Sequence, residues 1–129
     1  KRLNFSPRVL IPAAFGDKKK LTKEAHRAYL DAFPTPSDRH GPWVLARELI
    51  GSSEWYDELW RQRSRFAGKP ALVLWGMKDP TFGRDALERW KATLTDARVV
   101  EFPDAGQFVQ EEAPEEAARE IRGFLAGLG

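Results

Sequence analysis

A short apolar run closed by glycine, Ala71-Leu72-Val73-Leu74-Trp75-Gly76, constrains this chain more than any other stretch. An uninterrupted run of that kind is what a strand covered on both faces looks like. It leads straight into Met77-Lys78-Asp79-Pro80, a turn pinned by proline that presents a carboxylate. A second β-prone run over Ala97 to Phe102 ends in Pro103-Asp104-Ala105-Gly106 and presents Gln107. Between the two runs, from about Asp85 to Leu94, the side chains Leu87, Trp90 and Leu94 fall on one helical face. The spacing predicts a parallel strand–helix–strand unit with Asp79 and Gln107 at the carboxyl ends of its strands. Ligands of open α/β sheets usually sit at those ends.

Upstream of Gly68-Lys69-Pro70 the pattern is helical. Residues 1–16 mix Pro7, Pro12 and Gly16 with Val9-Leu10-Ile11 and read as an extended, loop-like entry. Asp17-Lys18-Lys19-Lys20 reads as a solvated charge run rather than an anion site, because no aromatic side chain is interleaved with the lysines. A helix is predicted from Leu21 to Phe33 with Thr22 as its N-cap, a second from Asp38 or Pro42 to Gly51, and a third capped by Ser52 or Ser53. The third carries Trp55, Tyr56, Leu59 and Trp60, a dense aromatic face. His26 and His40 have no metal-ligating partner at helical spacing and read as packing or surface residues. Downstream, Pro114 opens a last helix with Ala117, Ile121, Phe124, Leu125 and Leu128 on one face. Two segments follow from this change of character, a helical one over 1–67 and an α/β one over 68–129.

Composition narrows the function classes. With 21 basic against 19 acidic residues the net charge is only +2, a poor match to a nucleic-acid surface. The sequence has no cysteine, so disulfides, thiolate zinc sites and cysteine nucleophiles are excluded for these 129 residues. No apolar stretch approaches the ~18 residues of a membrane span, and a cytoplasmic setting is the default expectation. Neither a phosphate-binding glycine loop nor a cluster of metal ligands is visible, so no cofactor and no metal are expected.

The phrases Leu-Trp-Gly-Met-Lys-Asp-Pro and Pro-Asp-Ala-Gly-Gln-Phe-Val-Gln-Glu-Glu-Ala-Pro-Glu-Glu carry a resemblance. They are similar to the C-terminal half of α/β-hydrolases, and of haloalkane dehalogenases in particular. The likeness runs through most of the chain and covers about half of the family's fold, the lid and the last two strands. It implies a partial α/β-hydrolase fold, with 1–67 as the helical cap and 68–129 as the C-terminal part of the core. It further implies that Asp79 is the acid of a catalytic triad and that Gln107 stands where the family has its catalytic histidine. The aromatic side chains Trp43, Trp55, Phe82 and Phe108 become the expected lining of a pocket for a small apolar, halogenated substrate. Trp43 and Trp55 read equally well as plain core of their helices.

An α/β-hydrolase carries its nucleophile on a Gly-x-Ser-x-Gly elbow or its aspartate equivalent. No Gly-x-(Ser/Asp)-x-Gly occurs in the sequence. In the dehalogenase mechanism an aspartate displaces halide to form an ester, and the histidine then activates water to cleave it. A glutamine amide cannot take that proton, and loss of a general base typically costs about 10²–10⁴ in rate. The chain alone is therefore expected to be inactive, and to need a companion polypeptide carrying the nucleophile. Its two strands would leave unpaired edges, so oligomerisation or aggregation of the isolated chain is expected. Two other readings stand beside this one: a segment similar to epoxide hydrolases, whose lid tyrosines would have to be Tyr29 or Tyr56, and a non-catalytic interaction module gripping a partner through the aromatic lid and a bare sheet edge.

Overall fold

The computed structural model describes residues 4–129, which group into two compact units. One holds residues 4–12 and 22–65; the other holds 13–21 and 66–129. Residues 13–21 thus group with the strands and not with the helices that flank them in sequence.

The segment expected to be an extended entry is helical. A π-helical turn, Ser6–Leu10, runs directly into the short helix α1, Ile11–Ala14. The prolines misled the reading because both sit where a missing N–H costs little. Pro7 occupies the first turn, and Pro12 lies at the junction of the two helical segments. Residues 1–3, at the start of the same stretch, lie outside the described residues. Asn4 takes a positive φ of 47°, which asparagine tolerates better than most residues, and its carbonyl accepts from Arg8. Helix α2, Lys23–Asp31, is capped as predicted, with Thr22 Oγ1 accepting from the Ala25 amide at 3.1 Å. Beside it His26 Nε2 lies 2.8 Å from the Pro7 carbonyl oxygen. A carbonyl only accepts, so Nε2 carries the proton, and the histidine is a packing residue.

Helices α3, His40–Gly51, and α4, Ser53–Arg61, follow. Ser52 lies at the boundary as expected but caps nothing; its hydroxyl donates back to Glu48 in α3. None of α2, α3 and α4 contains a fully buried residue. Leu45, Leu49 and Ile50 on α3 and Trp55 and Leu59 on α4 are all exposed.

The second unit is built on two parallel strands, β1, Leu72–Gly76, and β2, Arg98–Phe102, in the register Leu72↔Arg98 through Gly76↔Phe102. Helix α5, Arg84–Thr93, makes the crossover and buries Leu87 completely. A short turn of helix, α6, Val109–Glu112, precedes α7, Pro114–Ala126, which starts on the proline as predicted. The core is Phe102, Ala105, Val109 and Ala117, with Leu74, Val100 and Ala113 packed against it. Only half-buried side chains line Leu72 to Trp75, so the strand predicted to be covered on both faces is covered in part.

Candidate functional site at the carboxyl ends of the strands

Both loops of interest leave the sheet at the same end, and they are hydrogen-bonded to one another. Past the last residue pair of the ladder, the Met77 amide donates to the Phe102 carbonyl at 3.0 Å and the Lys78 amide to the Ala105 carbonyl at 2.9 Å. The Lys78 ammonium adds a 2.8 Å bond to Asp104 Oδ1. This pair raises the pKa of Lys78 and lowers that of Asp104, in both cases chiefly through the shared hydrogen bond. The residue after Lys78 is Asp79, and Gln107 lies two positions beyond Ala105. The backbone thus joins the two loops that carry the positions singled out in the sequence.

Each then has its own surroundings. Asp79 is half-buried, and its Oδ1 accepts from the amides of Thr81 at 2.7 Å and Phe82 at 3.1 Å. The carboxylate therefore organises its own loop, as Asp before Pro commonly does. Gln107 is exposed; its amide N–H donates to the Ala14 carbonyl at 2.8 Å. Among the described residues no hydrogen bond joins its side chain to Asp79.

Glycine makes the close approach possible. A methyl group built on Gly76 would lie 1.8 Å from the Gly106 carbonyl oxygen, and one on Gly106 would lie 2.1 Å from that of Ala14. Gly16 is packed in the same way against Asp104, at 2.5 Å. Three backbone segments, the end of β1, the turn after β2 and residues 14–17, touch where no side chain fits.

Sequence reasoning missed the residue that ties these segments together. Glu112, in α6, is buried at 3 % exposure. Its Oε1 accepts from the amides of Gly106 at 2.6 Å and Gly16 at 3.1 Å, and its Oε2 from that of Asp17 at 2.8 Å. Lys20, from the run read as solvated, is exposed like Lys18 and Lys19, yet its Nζ donates to the Glu112 carbonyl at 2.6 Å. One cue was available. Glu112 stands three residues after the apolar Val109, on the same helical face, and both are buried.

The aromatic residues divide between the units. Phe108 is half-buried, with its ring centroid 5.4 Å from that of the buried Phe15, and Phe82 is 51 % exposed. In the other unit Trp43, 43 % exposed, lines a cavity of about 200 Å³ with Phe5, Leu10, Pro42 and Ala46, and carries the Arg47 guanidinium over its ring at 5.2 Å. Trp55 is 58 % exposed beside Tyr56. Neither tryptophan is core in this chain. Among the described residues no group of three or more His, Asp or Glu side chains is placed to hold a metal ion, and no helix is long and apolar enough to cross a membrane.

Comparison with known proteins identifies similar sequences. Residues 51–114 match the family model for the alpha/beta hydrolase fold. Haloalkane dehalogenase 2 of Mycobacterium tuberculosis is 33 % identical over 93 % of the chain and 42 % of its own length. A cis-3-alkyl-4-alkyloxetan-2-one decarboxylase of Xanthomonas campestris is 37 % identical over 85 % of the chain and 38 % of its own length. A haloalkane dehalogenase of Bradyrhizobium diazoefficiens is 26 % identical over 88 % and 38 %. The chain thus spans about two fifths of the length of these relatives.

Proposed function

The chain belongs to the α/β-hydrolases, on their haloalkane dehalogenase-like side, and from that premise we propose that it supplies the cap and the acid–base end of a site for hydrolytic carbon–halogen cleavage. What carries the proposal is the backbone pairing that sets the Asp79 loop against the Gln107 turn at the carboxyl ends of β1 and β2. Residues 1–67 act as the cap and 68–129 as the C-terminal part of the core. A nucleophile on a segment corresponding to the rest of the relatives' length attacks the halogenated carbon, halide leaves, and an ester remains. Asp79 is the acid partner of the residue at 107. In an active relative that residue would take a proton from water, and Asp79 would stabilise the resulting cation. Glutamine at 107 can hold a hydrogen bond but not a proton. The ester therefore accumulates.

The substrate is a small haloalkane. Phe82, in the Asp79 loop, and Phe108, next to Gln107, offer apolar surface to it. The test combines this chain with a nucleophile-bearing N-terminal portion from a relative and counts halide released from a 1-haloalkane. One halide per site, with an alkyl group retained on the protein, is the expected result. Continuous release overturns the role given to Gln107, and no release overturns the dehalogenase reading. A second reading rests on the 37 % identity to the oxetanone decarboxylase. It makes the substrate a four-membered lactone, and carbon dioxide released from a cis-3-alkyl-4-alkyloxetan-2-one by the same assembly would favour it.

A further inference from the structure

We propose that Glu112 is a positioning residue for position 107, acting as a buried clasp that holds the turn after β2 against residues 14–17. The inference deepens the reading of Asp79 and position 107 as acid and base, and it rests on that reading. A carboxylate is costly to bury unless its oxygens are satisfied. Here both oxygens are, by three backbone amides drawn from two segments far apart in sequence: Gly106 from the turn, Gly16 and Asp17 from the strap. Gly106 is the residue immediately before 107. The strap answers with its own bond, from the Gln107 amide to the Ala14 carbonyl. The backbone at 106–107 is therefore held on both sides, by an acceptor below and a carbonyl opposite. Lys20 closes the loop by binding the Glu112 carbonyl.

Glu112 accepts from both the turn and the strap, residues 14–17. The strap and the turn approach too closely for side chains at Gly16 and Gly106, so neither can supply a substitute anchor. Amides can be satisfied by any acceptor, but three of them converging on one site need two acceptor oxygens and no donor. Glutamine offers one oxygen and turns an NH₂ toward an amide N–H. Aspartate keeps the charge but is one methylene short. Glu112 thereby fixes where a side chain at 107 starts, and so whether it meets Asp79.

The experiment uses the full chain assembled with a nucleophile-bearing N-terminal portion from a relative, with histidine introduced by Gln107→His, with and without Glu112→Gln. Two quantities are read by NMR: the pKa of the imidazole, and amide hydrogen exchange. The expected result is an upward shift of the imidazole pKa in Gln107→His, the sign of pairing with the Asp79 carboxylate, that disappears on adding Glu112→Gln. Exchange at Gly16, Asp17 and Gly106 accelerates roughly tenfold or more, as befits the loss of charge-assisted bonds, while the β1–β2 ladder keeps its protection. A pKa raised equally with and without Glu112 overturns the proposal and leaves the Asp79 reading standing. A pKa raised in neither variant overturns both. Should Glu112→Gln unfold the chain, Glu112→Asp takes its place in the same comparison, and unfolding of that variant too would make Glu112 a structural residue only and end the proposal.

Discussion

Asp79, near the end of β1, does double duty, and substitution can separate its roles. Asp79 accepts two amides of its own loop through Oδ1, which an asparagine in the same place still does. Asp79→Asn should therefore cost on the order of 1 kcal/mol or less in urea unfolding. It should also remove the upward imidazole shift expected in Gln107→His, since only the charge has gone. The Lys78–Asp104 pair makes a separate prediction. The carboxyl pKa of Asp104 lies below its ordinary value in the folded chain, because of the hydrogen bond to Lys78. Its contribution to stability is thus present above the ordinary carboxylate range and is lost as pH falls through the lowered folded value. Lys78, raised by the same bond, contributes below the ordinary lysine range and loses that contribution as pH rises through its folded value. Both side chains are solvent-exposed, so the effect is screened. Carboxylate titration by NMR should show Asp104 moving up to the usual range in Lys78→Met, with most of the shift gone at about 1 M salt.

At the scale of the element, glycine positions distinguish segments that touch from segments that only turn. Gly76→Ala places a methyl group 1.8 Å from a backbone oxygen that has no side-chain freedom to retreat. It should destabilise by about 3 kcal/mol, the upper part of the usual overpacking cost. Gly123 lies inside α7 with nothing nearer than the tip of Arg98 at 3.9 Å, so Gly123→Ala should stabilise by about 0.5–1 kcal/mol. Thermal unfolding of the two variants side by side, each assembled with the same nucleophile-bearing N-terminal portion from a relative, checks both signs. The elements themselves were largely legible in the sequence, and for local reasons. The run from Ala71 to Trp75, the helical spacing of Leu87, Trp90 and Leu94, Thr22 as a cap and Pro114 as an opener all act within a few residues of chain. What was not legible came from contacts between distant segments. The helix at Ser6–Ala14 was hidden behind two prolines in tolerated positions. Glu112 looked like one more acidic residue in Glu-Glu-Ala-Pro-Glu-Glu, because its partners Gly16 and Asp17 lie almost the whole chain away. The loops of Asp79 and Gln107 were placed correctly at the strand ends. Their side-chain surroundings depend on Thr81, Phe82 and Ala14, which no periodicity announces.

At the scale of the molecule, the amount of apolar surface left open is the dominant fact. Helices α2, α3 and α4 bury no residue completely, and Leu45, Leu49, Ile50 and Trp55 each stand more than half exposed. The described sheet has two strands, both therefore edge strands. An edge strand presents unpaired backbone donors and acceptors along its free side and is a template for further pairing. Apolar side chains left open in such numbers are what a surface awaiting a partner would present. Two kinds of cover fit: further strands and helices of a hydrolase core, supplied by a companion segment, or other copies of the same chain. Both predict that these 129 residues, purified alone, do not behave as a well-folded monomer. Native mass measurement combined with light scattering should find oligomers or aggregates, and addition of a nucleophile-bearing N-terminal portion from a relative should shift the population to a defined one-to-one species. A sharp monomer that unfolds cooperatively would mean that the two-stranded unit is sufficient by itself, and that the exposed faces of α3 and α4 need no partner. The one-to-one species, if it forms, is also the assembly in which halide release must be counted, because only there do a nucleophile and Asp79 belong to one site.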